Sequence, residues 1–115
     1  MPVSVASSGS QTATLATDHT VATLSAPANG GVYLWRVDTA NLVNGETLIL
    51  TLKTRARAAD TTRQVYQGVF AHIQSDPIKD SPAIAIENGN ELVAILRQEG
   101  GTGRAFPWSL KRLDG

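Results

Sequence analysis

At 115 residues, with ten Lys plus Arg balanced by ten Asp plus Glu, the chain has the size of one domain and a formal net charge of zero. That leaves no global field to draw in nucleic acid or an anionic membrane. The chain holds no cysteine, which excludes disulfides, thiolate metal sites and cysteine nucleophiles.

MPVSVASSGS, at the start, has neither the basic nor the apolar region of a secretory signal, and no apolar run approaches the ~20 residues that cross a bilayer. The expectation is a chain with no membrane partner. These ten residues are small and polar and bury too little surface to offset their ordering entropy. They are expected to form an extended N-terminal arm, residues 1–10, held by a neighbouring subunit or laid along its own domain. Residues 11–115 then make a single β domain.

From Gln11 onward the pattern has period two. TVATLS, Thr20 to Ser25, is expected as a strand, and APANGG then breaks the chain with a Pro and an Asn-Gly-Gly turn signal. In VYLWRVD, Tyr33, Trp35 and Val37 share one face and Val32, Leu34 and Arg36 the other, and both are partly apolar, which predicts a central strand covered on both sides. TANLVNGE carries an Asn44-Gly45 turn, with room for one helical turn over Thr39 to Val43. ETLILTLKTRAR is the clearest strand, with Leu48, Leu50, Leu52 and Ala56 inward. AADTT turns the chain and RQVYQGVFAHI returns, with Val65, Val69, Ala71 and Ile73 alternating against Tyr66, Phe70 and His72.

QSDPIKDSP is expected as a loop. AIAIENGNELVAILRQE is expected as a hairpin about Asn88-Gly89-Asn90. AFPWSLKRL is the last strand, with Phe106, Trp108 and Leu110 on one face. Pro107 cannot donate to a ladder, which predicts an edge strand or a bulge there. No sustained 3.6-residue period occurs. The fold class is therefore all-β: an antiparallel β-sandwich or jelly roll of about seven to eight strands.

EGGTGRAFPW has the glycines of a phosphate loop. Such loops bind anions at the N-terminus of a following helix, and here a strand pattern follows. The glycines are therefore expected to serve a turn between strands, with Arg104 as a candidate contact at its tip. His19 and His72 lack a ligand at the i±2 spacing of a strand metal site, so no metal and no cofactor is expected. Asp76 and Asp80 flank a proline-containing loop, and no serine stands in a nucleophile elbow. No catalytic residue is assigned, and the chain is not expected to be an enzyme.

Lys53, Arg55, Arg57 and Arg63 gather on one hairpin, and the first three are expected on one strand face. No aromatics interleave with them, which favours an acidic protein surface over nucleic acid. Val3 and Val5 of the arm complete the candidate partner contacts. Trp35, Trp108, Tyr33 and Tyr66 could stack on a sugar if exposed, and would be core fillers if buried.

Beyond these residue-level readings, the stretch Gly31 to Leu113 resembles small structural proteins of tailed bacteriophages. The resemblance lies in layout: an arm of small residues, then GVYLWRVD, NLVNGETLILTLKTR, VYQGVFAHIQSDPIKDSP and GTGRAFPWSLKRL. It implies a β-sandwich that assembles on a virion in the bacterial cytoplasm, as a capsid decoration or cement protein. A neck, tail or fibre-base component, or a carbohydrate-binding module, is the alternative. The implied partners are the major capsid protein or other virion proteins, and further copies of the chain.

Overall fold

The structure, a computed structural model, describes residues 3–25 and 30–113. Nine strands follow in chain order: β1 (Val3–Thr12), β2 (His19–Ser25), β3 (Gly31–Asp38), β4 (Thr47–Thr54), β5 (Arg63–Ala71), β6 (Ile78–Asp80), β7 (Ile84–Ile86), β8 (Glu91–Glu99) and β9 (Ala105–Leu113). Among the described residues there is no helix; Thr39 to Val43 forms only a turn, closed by the Leu42 N–H donating to the Thr39 carbonyl at 3.0 Å. The expected Pro27–Asn29 break lies outside the described residues.

The strands make two sheets, antiparallel throughout. The first has the order β1-β9-β3-β6, with β7 also on β3; the second has the order β2-β8-β4-β5. Period-two alternation turns one apolar row of each sheet inward. Tyr33, Trp35, Val37, Phe106 and Leu110 come from the first sheet, and Leu48, Leu50, Leu52, Leu92, Ala94 and Leu96 from the second. Together they form one buried cluster. The result is an all-β, sandwich-like domain.

β6 and β7 lie end to end on the same edge of β3. Between them Ser81 bridges the gap. Its N–H donates to the Trp35 carbonyl at 2.8 Å, and its Oγ accepts the Trp35 N–H at 2.9 Å. Pro82 follows and breaks the ladder, which blunts this edge against further pairing.

Several expectations change in the folded chain. β7 and β8 are not a hairpin: they lie in different sheets, and the turn at Asn88-Gly89-Asn90 carries the chain from one sheet to the other. Asn90 fixes that crossing, donating to the Arg55 carbonyl at 2.8 Å and to Glu87 Oε1 at 2.7 Å. A turn signal reports a reversal of the chain, and the same chemistry serves a reversal across the core.

β9 is not an edge strand either, since it sits between β1 and β3. Its ladder to β3 begins at Trp108, so Pro107 has only β1 beside it, where it pairs with Ser10. The proline is tolerated because one flank of the strand is open there.

β4 ends at Thr54, so Ala56 is exposed rather than inward. In β5 the inward row is Tyr66, Gly68 and Phe70, opposite Leu52, Leu50 and Leu48. Val65 and Val69 point outward. Gly68 is required by the crowding of the Tyr66 and Phe70 rings, which close over the position a Cβ would take.

Candidate functional site

Residues 3–10 do not stand free of the domain. From Val3 they enter β1, which runs along β9 as the outermost strand of the first sheet. Ser7, Gly9 and Gln11 face inward opposite Leu110, Trp108 and Phe106. Gly9 is selected by sterics: a Cβ there would lie 3.3 Å from Trp108 Cζ2.

The register of β1 shifts between Val5 and Ser7. In an unbroken strand Val3 and Val5 would share the inward face with Ser7. One extra residue reverses the faces, so both valines point outward. Paired residues of an antiparallel ladder share a face. Val3, Leu113 and Val32 therefore form one cross-strand row, and Val5, Lys111 and Leu34 the next. Val3 and Val5 are 59% and 58% exposed, while Val32, Leu34 and Leu113 are half-buried. This is a patch of apolar side chains with Lys111 in the middle of its second row and Arg36 one row further. Arg36 is held bidentate by Asp80 at 2.6 and 3.0 Å. Apolar surface with charged groups in and beside it fits a protein partner better than a small ligand, which needs a concavity.

The basic residues do not form the expected row. Only Lys53 lies on the strand, on the outer face of the second sheet. Arg55 and Arg57 follow in the turn and are engaged there. Arg55 donates to the Ala58 carbonyl at 2.7 Å and pairs with Glu91 at 3.3 Å; Arg57 is bidentate with Asp60 at 3.0 Å on each arm. Arg63 opens β5 and is exposed, lining with Arg55, Asp60 and Thr61 an open hollow of about 470 Å³. Two of the four charges, Arg55 and Arg57, are neutralised within the cluster.

The glycine loop does cradle an anion, and the anion is the chain's own. The Glu46 side chain is 1% exposed. Its carboxylate accepts the Thr102 N–H at 3.0 Å, the Val43 N–H at 3.1 Å and Arg104 Nε at 3.0 Å. Burial pushes the Glu46 carboxyl up, but the two backbone N–H groups and the Arg104 guanidinium outweigh it and hold it below the usual range.

Gln98, fully buried, completes the lock. It donates to the Gly100 and Thr102 carbonyls at 3.2 and 2.7 Å and accepts the Arg104 N–H at 2.9 Å. Gly100 and Gly101 have φ of 75° and 68°, and any Cβ on Gly101 would collide with Glu46. Arg104 is thus a structural cation and not a free contact at a loop tip. The loop joins β8 to β9 across the core, since these strands belong to opposite sheets. Nothing in the local sequence marks Glu46 or Gln98. The clustered glycines were the one signal that something packs closely against the loop.

Both histidines act as hydrogen-bond acceptors, His19 at the start of β2 and His72 just after β5. His19 Nε2 accepts the Thr14 N–H at 2.9 Å, and His72 Nδ1 accepts the Gly45 N–H at 2.9 Å. Among the described residues no three His, Cys, Asp or Glu side chains come together as a metal site. Tyr33 and Trp35 are buried at 2% and 1% exposure, and Trp108 is half-buried beneath Gly9, so these rings offer no open stacking platform. Comparison with known protein families, with curated proteins and with solved structures finds no match for this chain.

Proposed function

We propose that this chain is a jelly-roll building block of a virion, a decoration or cement protein that binds the assembled head of a tailed bacteriophage. The observation that carries the reading is strand order. With β6 and β7 counted as one edge interrupted at Pro82, the sheets run β1-β9-β3-β6/7 and β2-β8-β4-β5. Every connection except the β4–β5 hairpin then passes from one sheet to the other. That order supports a reading as two Greek keys in a double-sheet jelly roll, an architecture of viral capsid and lectin domains.

The outward Val3 and Val5 support a role in protein contact, with the major capsid protein or further copies of the chain as partner and the virion as its location. The lectin reading of the same architecture is disfavoured by the burial of Tyr33 and Trp35. A neck or tail position differs from the head only in stoichiometry. Quantitative mass spectrometry of purified particles that encode the chain separates the cases. Hundreds of copies per particle are expected; a dozen or fewer would move the chain to the neck or tail, and absence from the particle would overturn the proposal.

A further inference from the structure

We propose that β1 is an exchangeable strand, and that its second acceptor is β9 of another copy of this chain. The inference rests on the geometry of β1, its seat and its hinge, and holds whether or not the protein belongs to a virion.

The strand is separable because little apolar surface holds it. β9 is its ladder partner, and from Val3 to Ser10 every residue of β1 is exposed. Ser4, Ala6, Ser7, Ser8, Gly9 and Ser10 bring almost no apolar surface to bury. Most of what holds β1 is hydrogen bonding along one edge, and the same bonds are available in trans.

The seat on β9 suits this strand. β1 brings a glycine over Trp108, where a Cβ would lie a tight 3.3 Å from the ring, and one extra residue of its own between the partners of Lys111 and Leu110. β1 of a second copy brings both features in the same register by construction.

The hinge stores strain that exchange releases. The link from Ala13 to Asp18 folds β1 back toward β2, and in it Ala16 has a φ of 55°. A non-glycine residue in the left-handed region costs about 1–2 kcal/mol. Short strained hinges are the feature that invites strand exchange. Three backbone N–H bonds close the hinge in the folded chain: the Ala13 N–H to the Arg104 carbonyl, the Ala16 N–H to the Gln98 carbonyl, both at 2.9 Å, and the Thr14 N–H to His19 Nε2; Asp18 adds an ion pair with Arg97 at 3.3 Å. On exchange the first re-forms against the partner, while an extended link lets Ala16 return to an ordinary φ. A link this short spans at most ~20 Å when extended. The acceptor copy must therefore sit side by side with the donor.

The absence of cysteine makes the test direct. Ser8 and Ser109 are ladder partners on the outer face, so the double variant Ser8→Cys/Ser109→Cys places two thiols within disulfide reach in either arrangement. The protein is refolded from denaturant at increasing concentration, oxidised and run on non-reducing electrophoresis. Exchange predicts covalent dimers or larger species whose share rises with concentration, and heterodimers when separate Ser8→Cys and Ser109→Cys chains are refolded together. Ala16→Gly, which relaxes the closed hinge, should lower the exchanged share roughly fivefold or more. Ala16→Pro, which cannot adopt that φ, should raise it. Purely intrachain disulfide at every concentration would overturn the proposal, as would no disulfide at all.

Discussion

β1 and the Gly100–Arg104 loop are two of the stretches richest in small residues, and they are held in opposite ways. The loop wraps a buried carboxylate, and its glycines admit contacts that any Cβ would forbid. β1 is small because it has little to bury, and its single steric demand is Gly9 against Trp108. Small side chains thus mark close packing in one place and weak attachment in the other. The difference lies in polar satisfaction. In the loop the Thr102 and Arg104 N–H groups and the Gly100 and Thr102 carbonyls converge on the buried Glu46 and Gln98 side chains, and losing one partner strands those buried groups in a medium that cannot solvate them. In β1, water can replace what is lost.

Mutations in the loop should therefore cost far more than mutations in β1. The largest effect is expected for Glu46→Ala. It leaves the Thr102 and Val43 N–H groups and the partly covered Arg104 guanidinium without their acceptor, a loss of about 2–3 kcal/mol. Urea unfolding should show a lower midpoint with an unchanged slope.

Gly101→Ala and Gly9→Ala apply one substitution to both regions. At Gly101 the left-handed φ and the collision with Glu46 combine, for a loss of about 1–3 kcal/mol. At Gly9 only a tight contact with a movable ring is added, and a change of about 0.5 kcal/mol is expected. Equal losses at the two glycines would break the comparison.

Acid should weaken the loop. The Glu46 carboxyl is held below its ordinary range, because its hydrogen bonds and the Arg104 charge outweigh the cost of burial. A depressed folded value means the stabilisation is complete above the unfolded glutamate range and is lost as pH falls through the folded value. The stability gap between the native chain and Glu46→Gln should accordingly narrow on acidification, measured by denaturant midpoints across that range. A gap that widens toward acid would reverse the assignment. The smallest effect on folding is expected for the pair Val3→Ser and Val5→Ser, within about 0.5 kcal/mol, since both side chains stand mostly in water.

Alternation made the inward rows legible in the sequence. Leu48, Leu50 and Leu52, then Phe106 and Leu110, and the grouping of Tyr33, Trp35 and Val37 on one face read correctly; the other face of that strand, expected to be covered too, is only half-buried, because its apolar Val32 and Leu34 look the same in sequence whether or not a second layer lies over them. Sheet membership was not legible. Asn88-Gly89-Asn90 looks like a hairpin turn whether the next strand pairs with the last or crosses the core. The outward turn of Val3 and Val5 depends on a bulge, and neither local propensity nor hydrophobic pattern marks a single extra residue among serines and alanine. Glu46, Gln98 and Arg104 meet across more than 50 positions of chain, from Glu46 to Arg104, so no short motif could reveal them. The basic row failed for a nearer reason: β4 ends at Thr54, before alternation can align Arg55 and Arg57.

Native-state hydrogen exchange tests most directly the claim that β1 is a separable strand on a locked domain. The amides of Thr102, Arg104 and Val43 are expected to exchange only with global unfolding, because they are donors to buried acceptors. The amides of β1 should open orders of magnitude sooner, through a local event that leaves those three protected. Protection of β1 equal to that of the loop would mean that the strand and the domain unfold as one unit, and would contradict the account.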